Sequence, residues 1–194
     1  MSPEVFNTAM AVLRGVVGIV FLAHGAKHFK SREKTTRWAE SIGLKSPGIQ
    51  WVFMTFAEIG IGLGFLAGFL TSFAAAGLVA MMFVAYWTVH RFAGFWITAR
   101  PDEGWEYVLV LVGAAIAVAV LGPGEWSLDH AIEIAGDFDG VTGAVIVAGG
   151  FLAAIGQLAM FYRRPTSKSR VTGDGQRVTG NGQRPPTQPA LGSN

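Results

Sequence analysis

The sequence predicts an all-α membrane protein, a polytopic bundle of transmembrane helices. Three observations carry that prediction. Hydrophobic residues make up 51% of the 194 residues and charged residues only 14%, against about 25% charged in an ordinary soluble domain. Five stretches are apolar for about the 20 residues that a helix needs to cross a bilayer. Lys and Arg collect in alternate connections between those stretches, as they do in multi-pass proteins. Cys is absent, which removes every chemistry that needs a thiolate from this chain: iron–sulfur ligation, persulfide relay and Cys nucleophiles.

The spans are expected at about 7–26, 51–70, 72–89, 105–121 and 141–162. The first does not read as a cleavable signal, because its basic residues follow the apolar run instead of preceding it. After it come Lys27, Lys30, Arg32, Lys34, Arg37 and Lys45. Within that connection Trp38 and Ile42 sit four apart among charges, which suits a short interfacial helix over 32–44, and Pro47-Gly48 breaks it before the second span. The connection between spans three and four holds Arg91 and Arg100. Trp51, Trp87, Trp96 and Trp105 fall at the same level, as an aromatic belt does. The connection between spans four and five holds Glu125, Asp129, Glu133, Asp137 and Asp139 with no Lys or Arg. Ser127 there could cap a short helix through Ile134. These distributions predict a multi-pass plasma-membrane protein with its N-terminus outside and its C-terminus cytoplasmic.

The chain divides into a core over 1–130, a segment over 131–162 with the end of the outer loop and the fifth span, and a basic tail over 163–194. The tail has four hydrophobic residues, six basic and one acidic, and it repeats Arg-Val-Thr-Gly-Asp/Asn-Gly-Gln at 170 and 177. Such a segment cannot bury a core and reads as disordered. It lacks interleaved aromatics, so nucleic acid is not an expected partner. The expected partners are the lipid bilayer and other membrane or redox subunits. These would meet Gly-rich helix faces such as Gly60-x-x-x-Gly64-x-x-x-Gly68 with Gly62 in the second span and Ala11-x-x-x-Gly15 with Gly18 in the first, where backbones can approach closely.

Candidate chemistry sits where charge meets apolar helix. Arg14 lies in the first span and Glu58 in the second, at expected depths about 7 Å apart. An isolated charge at the bilayer centre costs about 2.5–3.5 kcal/mol on insertion scales, so an intramembrane Arg14–Glu58 ion pair is the simplest arrangement. It would either fix helix register or handle a proton or ligand. His24, Glu58, His90, Glu106 and Tyr107 could converge on one inner-leaflet pocket for a quinone head group, with His donating to a carbonyl oxygen and Glu or Tyr supplying a proton. Equally, His24 and Glu106 read as ordinary residues at helix ends. No His or Glu spacing sets up a metal site, and Asp137-x-Asp139-Gly140 lacks the remaining ligands of a calcium loop.

In order along the chain, several short pieces resemble the DoxX family of integral membrane proteins. They are Arg14-Gly15, Phe21-Leu-Ala-His24-Gly25, Gly43-Leu44, Ala57-Glu58-Ile-Gly60, His90 with Gly94-Phe95, Glu106-Tyr107, and Gly122-Pro-Gly-Glu-Trp-Ser127-Leu128-Asp129. The family places a Lys four after the His; here His28 stands there and Lys27 precedes it. The resemblance implies a four-helix core, to which the fifth span would be an addition. It also implies an association with quinone-linked redox and oxidative-stress systems. The expected function is therefore a subunit or accessory factor of such a complex, catalytic or not. A small-solute or proton transporter and a non-catalytic scaffold are the alternatives.

Overall fold

The computed structural model describes residues 2–164; the tail repeat lies outside the described residues. Within them the chain is all-helical, joined to itself by one isolated bridge between Leu44 and Tyr162. The elements are α1 (Pro3–Lys30), α2 (Arg32–Ser41), α3 (Pro47–Ala67), α4 (Thr71–Thr88), a 3-10 turn (His90–Phe92), α5 (Glu106–Leu121), α6 (Leu128–Ala131), α7 (Ala135–Phe138) and α8 (Gly140–Phe161).

Each boundary has a local cause. Helix α1 starts early because Ser2 caps it through Val5 N and Pro3 supplies a preset φ. It runs on to Lys30 because Lys27, His28 and Lys30 complement the dipole of its last turn. At 28 residues it spans about 42 Å. In α2 the buried face is Thr35 and Ala39, while Trp38 is exposed; Ile42 stops the helix instead of extending its stripe. Helix α3 ends at Gly68, whose φ of +63° no β-carbon would tolerate comfortably. The short helix expected from Ser127 through Ile134 is split in two. Ser127 Oγ caps α6 by accepting from His130 N, Glu133 reverses the chain at φ +61°, and α7 follows.

Helices α1, α3, α4 and α8 are long and apolar enough to cross a membrane; α5 is apolar but shorter, at 16 residues or about 24 Å. The chain traverses the bundle five times. One end gathers Asn7 of α1, the 122–129 segment, Gly68 and the start of α4. The other gathers His28, Trp51, Lys45, Met160 and Tyr162. Among described residues the first end is acidic and the second basic, in the alternation that the charge pattern predicts.

Helices α1 and α3 pack antiparallel with their backbones almost touching. A β-carbon on Gly18 would lie 2.9 Å from Gly62 O, and one on Gly62 would lie 2.9 Å from Gly18 O and Leu22 N. The close-approach glycines of α3 are thus Gly62 and Gly64; Gly60, part of the expected stripe, faces open space. Helix α4 is central, with α3, α5 and α8 packed around it. Gly150 of α8 presses on the Ala76 backbone and Gly143 on Ala119. The core joins Val17, Phe21, Ile61, Phe65, Leu78, Leu111, Val118 and Val147 from all five long helices. Outward-facing Val12, Val16, Ile19, Phe53, Val110 and Leu152 are more than half exposed or close to it. Apolar faces this extensive are those of helices that meet lipid.

At the basic end, α8 is clamped to the connection before α3. Lys45 N donates to Phe161 O, Lys45 Nζ to Met160 O, and Arg163 N to Gly43 O. A cation and one amide therefore occupy carbonyls in the last turn of α8, which lack helical partners, and the residue after that helix returns one bond to Gly43.

Candidate functional site

Two buried polar centres lie in the bundle, one toward each end. The first is built on Arg14, which is 2% exposed. Its guanidinium donates to Trp126 O at 2.5 Å and reaches Phe65 O at 3.4 Å. Phe65 is in the last turn of α3, so the cation sits at the negative end of that helix. Asp129 adds attraction from the same side. The Asp129 carboxylate is itself fully employed at the start of α4, accepting from Leu70 N at 2.7 Å, Thr71 N at 2.9 Å and Thr71 Oγ1 at 2.7 Å. Its own N–H donates to Gly68 O. Asn7 completes the strap: its Nδ2 donates to Glu125 Oε2 and its Oδ1 accepts from Glu125 N. Together these bonds tie the 122–129 segment across the mouth of α1, α3 and α4.

The second centre is built on Glu58, whose Oε2 lies 2.8 Å from His28 Nδ1, with side-chain exposures of 7% and 18%. The His24 ring stands edge-on to His28 with centroids 6.5 Å apart, and its Nδ1 contacts Val20 O at 2.9 Å. On the same helix as Glu58 are Thr55 and Gln50, both buried; Gln50 Oε1 accepts from Gln157 Nε2 of α8 at 3.1 Å. Trp51 Nε1 donates to His28 O, and Arg32 stacks over the Trp51 ring.

The expected Arg14–Glu58 ion pair is therefore not formed. The Gly18–Gly62 contact sets an antiparallel register in which Arg14 stands opposite Gly68 and Glu58 opposite Gly25. The two charges are then separated by ten or so residues along the pair, about 15 Å. Nor is the five-residue pocket assembled as expected. His24 and Glu58 come together through His28. His90 Nδ1 instead contacts Glu103 O at 2.7 Å, and Glu106 Oε2 accepts from Ile97 N at 3.1 Å. Both serve to fold the 93–105 loop onto the start of α5. Tyr107 is 38% exposed on that helix. No hydrogen bond or ion pair among the described residues links these three to Glu58. His28 stands four residues after His24 and so on the same helix face, a signal present in the sequence; a span that ends at 26 leaves it out.

The DoxX family model matches residues 9–91. The matched segment takes in most of α1, all of α2, α3 and α4, and the first two residues of the 3-10 turn. It contains Arg14, His24, His28 and Glu58 but stops short of Glu106, Tyr107 and the 122–129 strap. No curated protein and no solved structure matches the chain.

Proposed function

We propose that this DoxX-family membrane protein is a subunit or accessory factor of a quinone-linked redox or oxidative-stress complex, with Glu58 and His28 handling the proton at the quinone head group. One observation carries the reading: a carboxylate and an imidazole meet at 2.8 Å inside the bundle, with the carboxylate almost wholly buried. Intramembrane ionisable residues are expensive and tend to be functional. A quinone takes up protons with its electrons. Glu58 Oε2 and His28 Nδ1 have no other hydrogen-bond partner among the described residues, which leaves the remaining lone pairs of the carboxylate for such a group. In this reading the electrons come from the partner complex. Glu58 holds the proton, His28 orients it toward the head-group oxygen, and His24 connects the pair to the basic end. The core of the unit is 1–130; segment 131–162 adds the fifth span, which buttresses α4.

The basic end is assigned to the cytoplasm of a plasma-membrane protein by the Lys and Arg bias. Reporter fusions at Arg164 should then read cytoplasmic and fusions within 129–139 external. The functional test is purification of the full chain in mild detergent, with extraction of bound quinone and labelling by a photoreactive quinone. Label on α1 or α3 near His28, lost in Glu58→Gln and His28→Gln, is expected. Labelling indifferent to both substitutions would sink the assignment. Proton uptake coupled to a solute with no quinone bound would favour the transporter.

A further inference from the structure

Three side chains along one face of α3 are buried with unspent hydrogen-bonding capacity: Gln50 Nε2 and Thr55 Oγ1 have no partner among the described residues, and Glu58 Oε2 meets only His28 Nδ1. Their residues are 3%, 0% and 6% exposed. Buried polar groups in folded proteins are almost always hydrogen-bonded, and where side chains do not suffice an internal water supplies the bond. Thr55 is the most telling. A helical Thr normally returns its hydroxyl to the carbonyl four residues back. Thr8, Thr36 and Thr88 all do so here, at 2.8 Å each. Thr55 does not, so its hydroxyl is held for something else.

The three groups lie within an arc of about 140° and over about 12 Å of helix. Along the axis Thr55 is about 4.5 Å from Glu58 and Gln50 about 7.5 Å from Thr55, spacings that one or two waters bridge. The chemistry alternates suitably: an amide donor, a hydroxyl that donates and accepts, and a carboxylate that accepts. At the lower end Gln157 of α8 holds the Gln50 carbonyl oxygen, which leaves the amide nitrogen for the column. This contact comes from outside the segment that matches the family, so the fifth span helps to build the feature.

We infer that Gln50, Thr55 and Glu58 hold a string of internal waters that carries protons between Glu58 and the basic end of the bundle. The Glu58 carboxylate takes a proton from the adjacent water. That water is reprotonated by the next, and the last by solvent at the basic end. One proton moves, one carboxylate is neutralised and no electron is transferred. His28 is the titratable group that faces Glu58 from α1, with His24 behind it; α4 presents no charged side chain. The inference rests on Glu58 exchanging protons, as proposed above, but not on a quinone being its partner.

The test uses the full chain in lipid nanodiscs. A pH jump is followed by time-resolved infrared at the carboxyl stretch of Glu58, assigned by its loss in Glu58→Gln. Thr55→Val should slow protonation about tenfold, the effect of one lost hydrogen bond, and Thr55→Ser should restore it. Gln50→Leu should slow it as well and stands in if Thr55→Val does not fold. Equal rates in wild type, Thr55→Val and Gln50→Leu overturn the water string alone. A Glu58 carboxyl signal that never responds to pH overturns both the string and the proton role of Glu58.

Discussion

Arg14 and Glu58 are both charged residues on facing helices of the same bundle, yet their surroundings differ in kind. Around Arg14 the bonds are dense: two carbonyls, one of them at a helix end, and a carboxylate that itself closes three bonds, with Nε of the guanidinium left without a partner among the described residues. Around Glu58 they are sparse: one imidazole contact, with a hydroxyl and an amide nearby left without partners. A buried charge whose surroundings are largely satisfied holds structure together, while a buried charge among several groups with spare hydrogen-bonding capacity is fitted for exchange. On the proposed reading the centre at the acidic end is a fastening and the one at the basic end a working site.

The sharpest way to break that contrast is Asp129→Ala. It removes the cap of α4 and leaves Arg14 without its carboxylate, so a loss of about 3–5 kcal/mol is expected, read by unfolding in detergent. Glu58→Gln should cost less than about 1 kcal/mol while abolishing the carboxyl signal and quinone labelling. If Glu58→Gln destabilises as much as Asp129→Ala, the two centres do not differ in role. Next in size, Gly62→Ala pushes a methyl into the α1 backbone and should cost about 1–3 kcal/mol. Gly60→Ala, on an open surface, should be neutral by the same assay. Smallest is the coupling between Arg14→Gln and Glu58→Gln in a double-mutant cycle, expected within about 0.5 kcal/mol of additivity because the groups are far apart. Coupling above 1 kcal/mol would mean that the pair exists after all.

Much of this fold was legible in composition and charge. Apolar runs located the five long helices to within a few residues, since nothing else can satisfy twenty apolar residues in lipid. Ser127 announced its cap. The polar centres were harder to read. Arg14 is met by the carbonyls of Phe65 and Trp126, and a backbone acceptor leaves no trace in a residue pattern. Asp129 reaches it from a loop more than one hundred residues away. Depth along a span is also a poor guide to pairing, because register is set by where backbones touch. Gly18 and Gly62 stand among several candidate glycines in the sequence, and nothing in the pattern singles them out as the pair that sets the register. The site at the basic end is half legible: Glu58 and His24 stand out as chemistry, but their link, His28, lies in the extra turn by which α1 outruns the expected span.

The clamp between Lys45 and the end of α8 has a consequence for the order of assembly. Residues 43–45 leave the ribosome long before residues 160–163. The α1–α3 hairpin therefore enters the bilayer with its basic end unlatched, and its acidic end stays open until the 122–129 strap arrives. Both closures come late, and the last one waits for the final span. A chain interrupted before α8 would leave the early helices inserted but unfastened, and so recognisable to membrane quality control as unfinished.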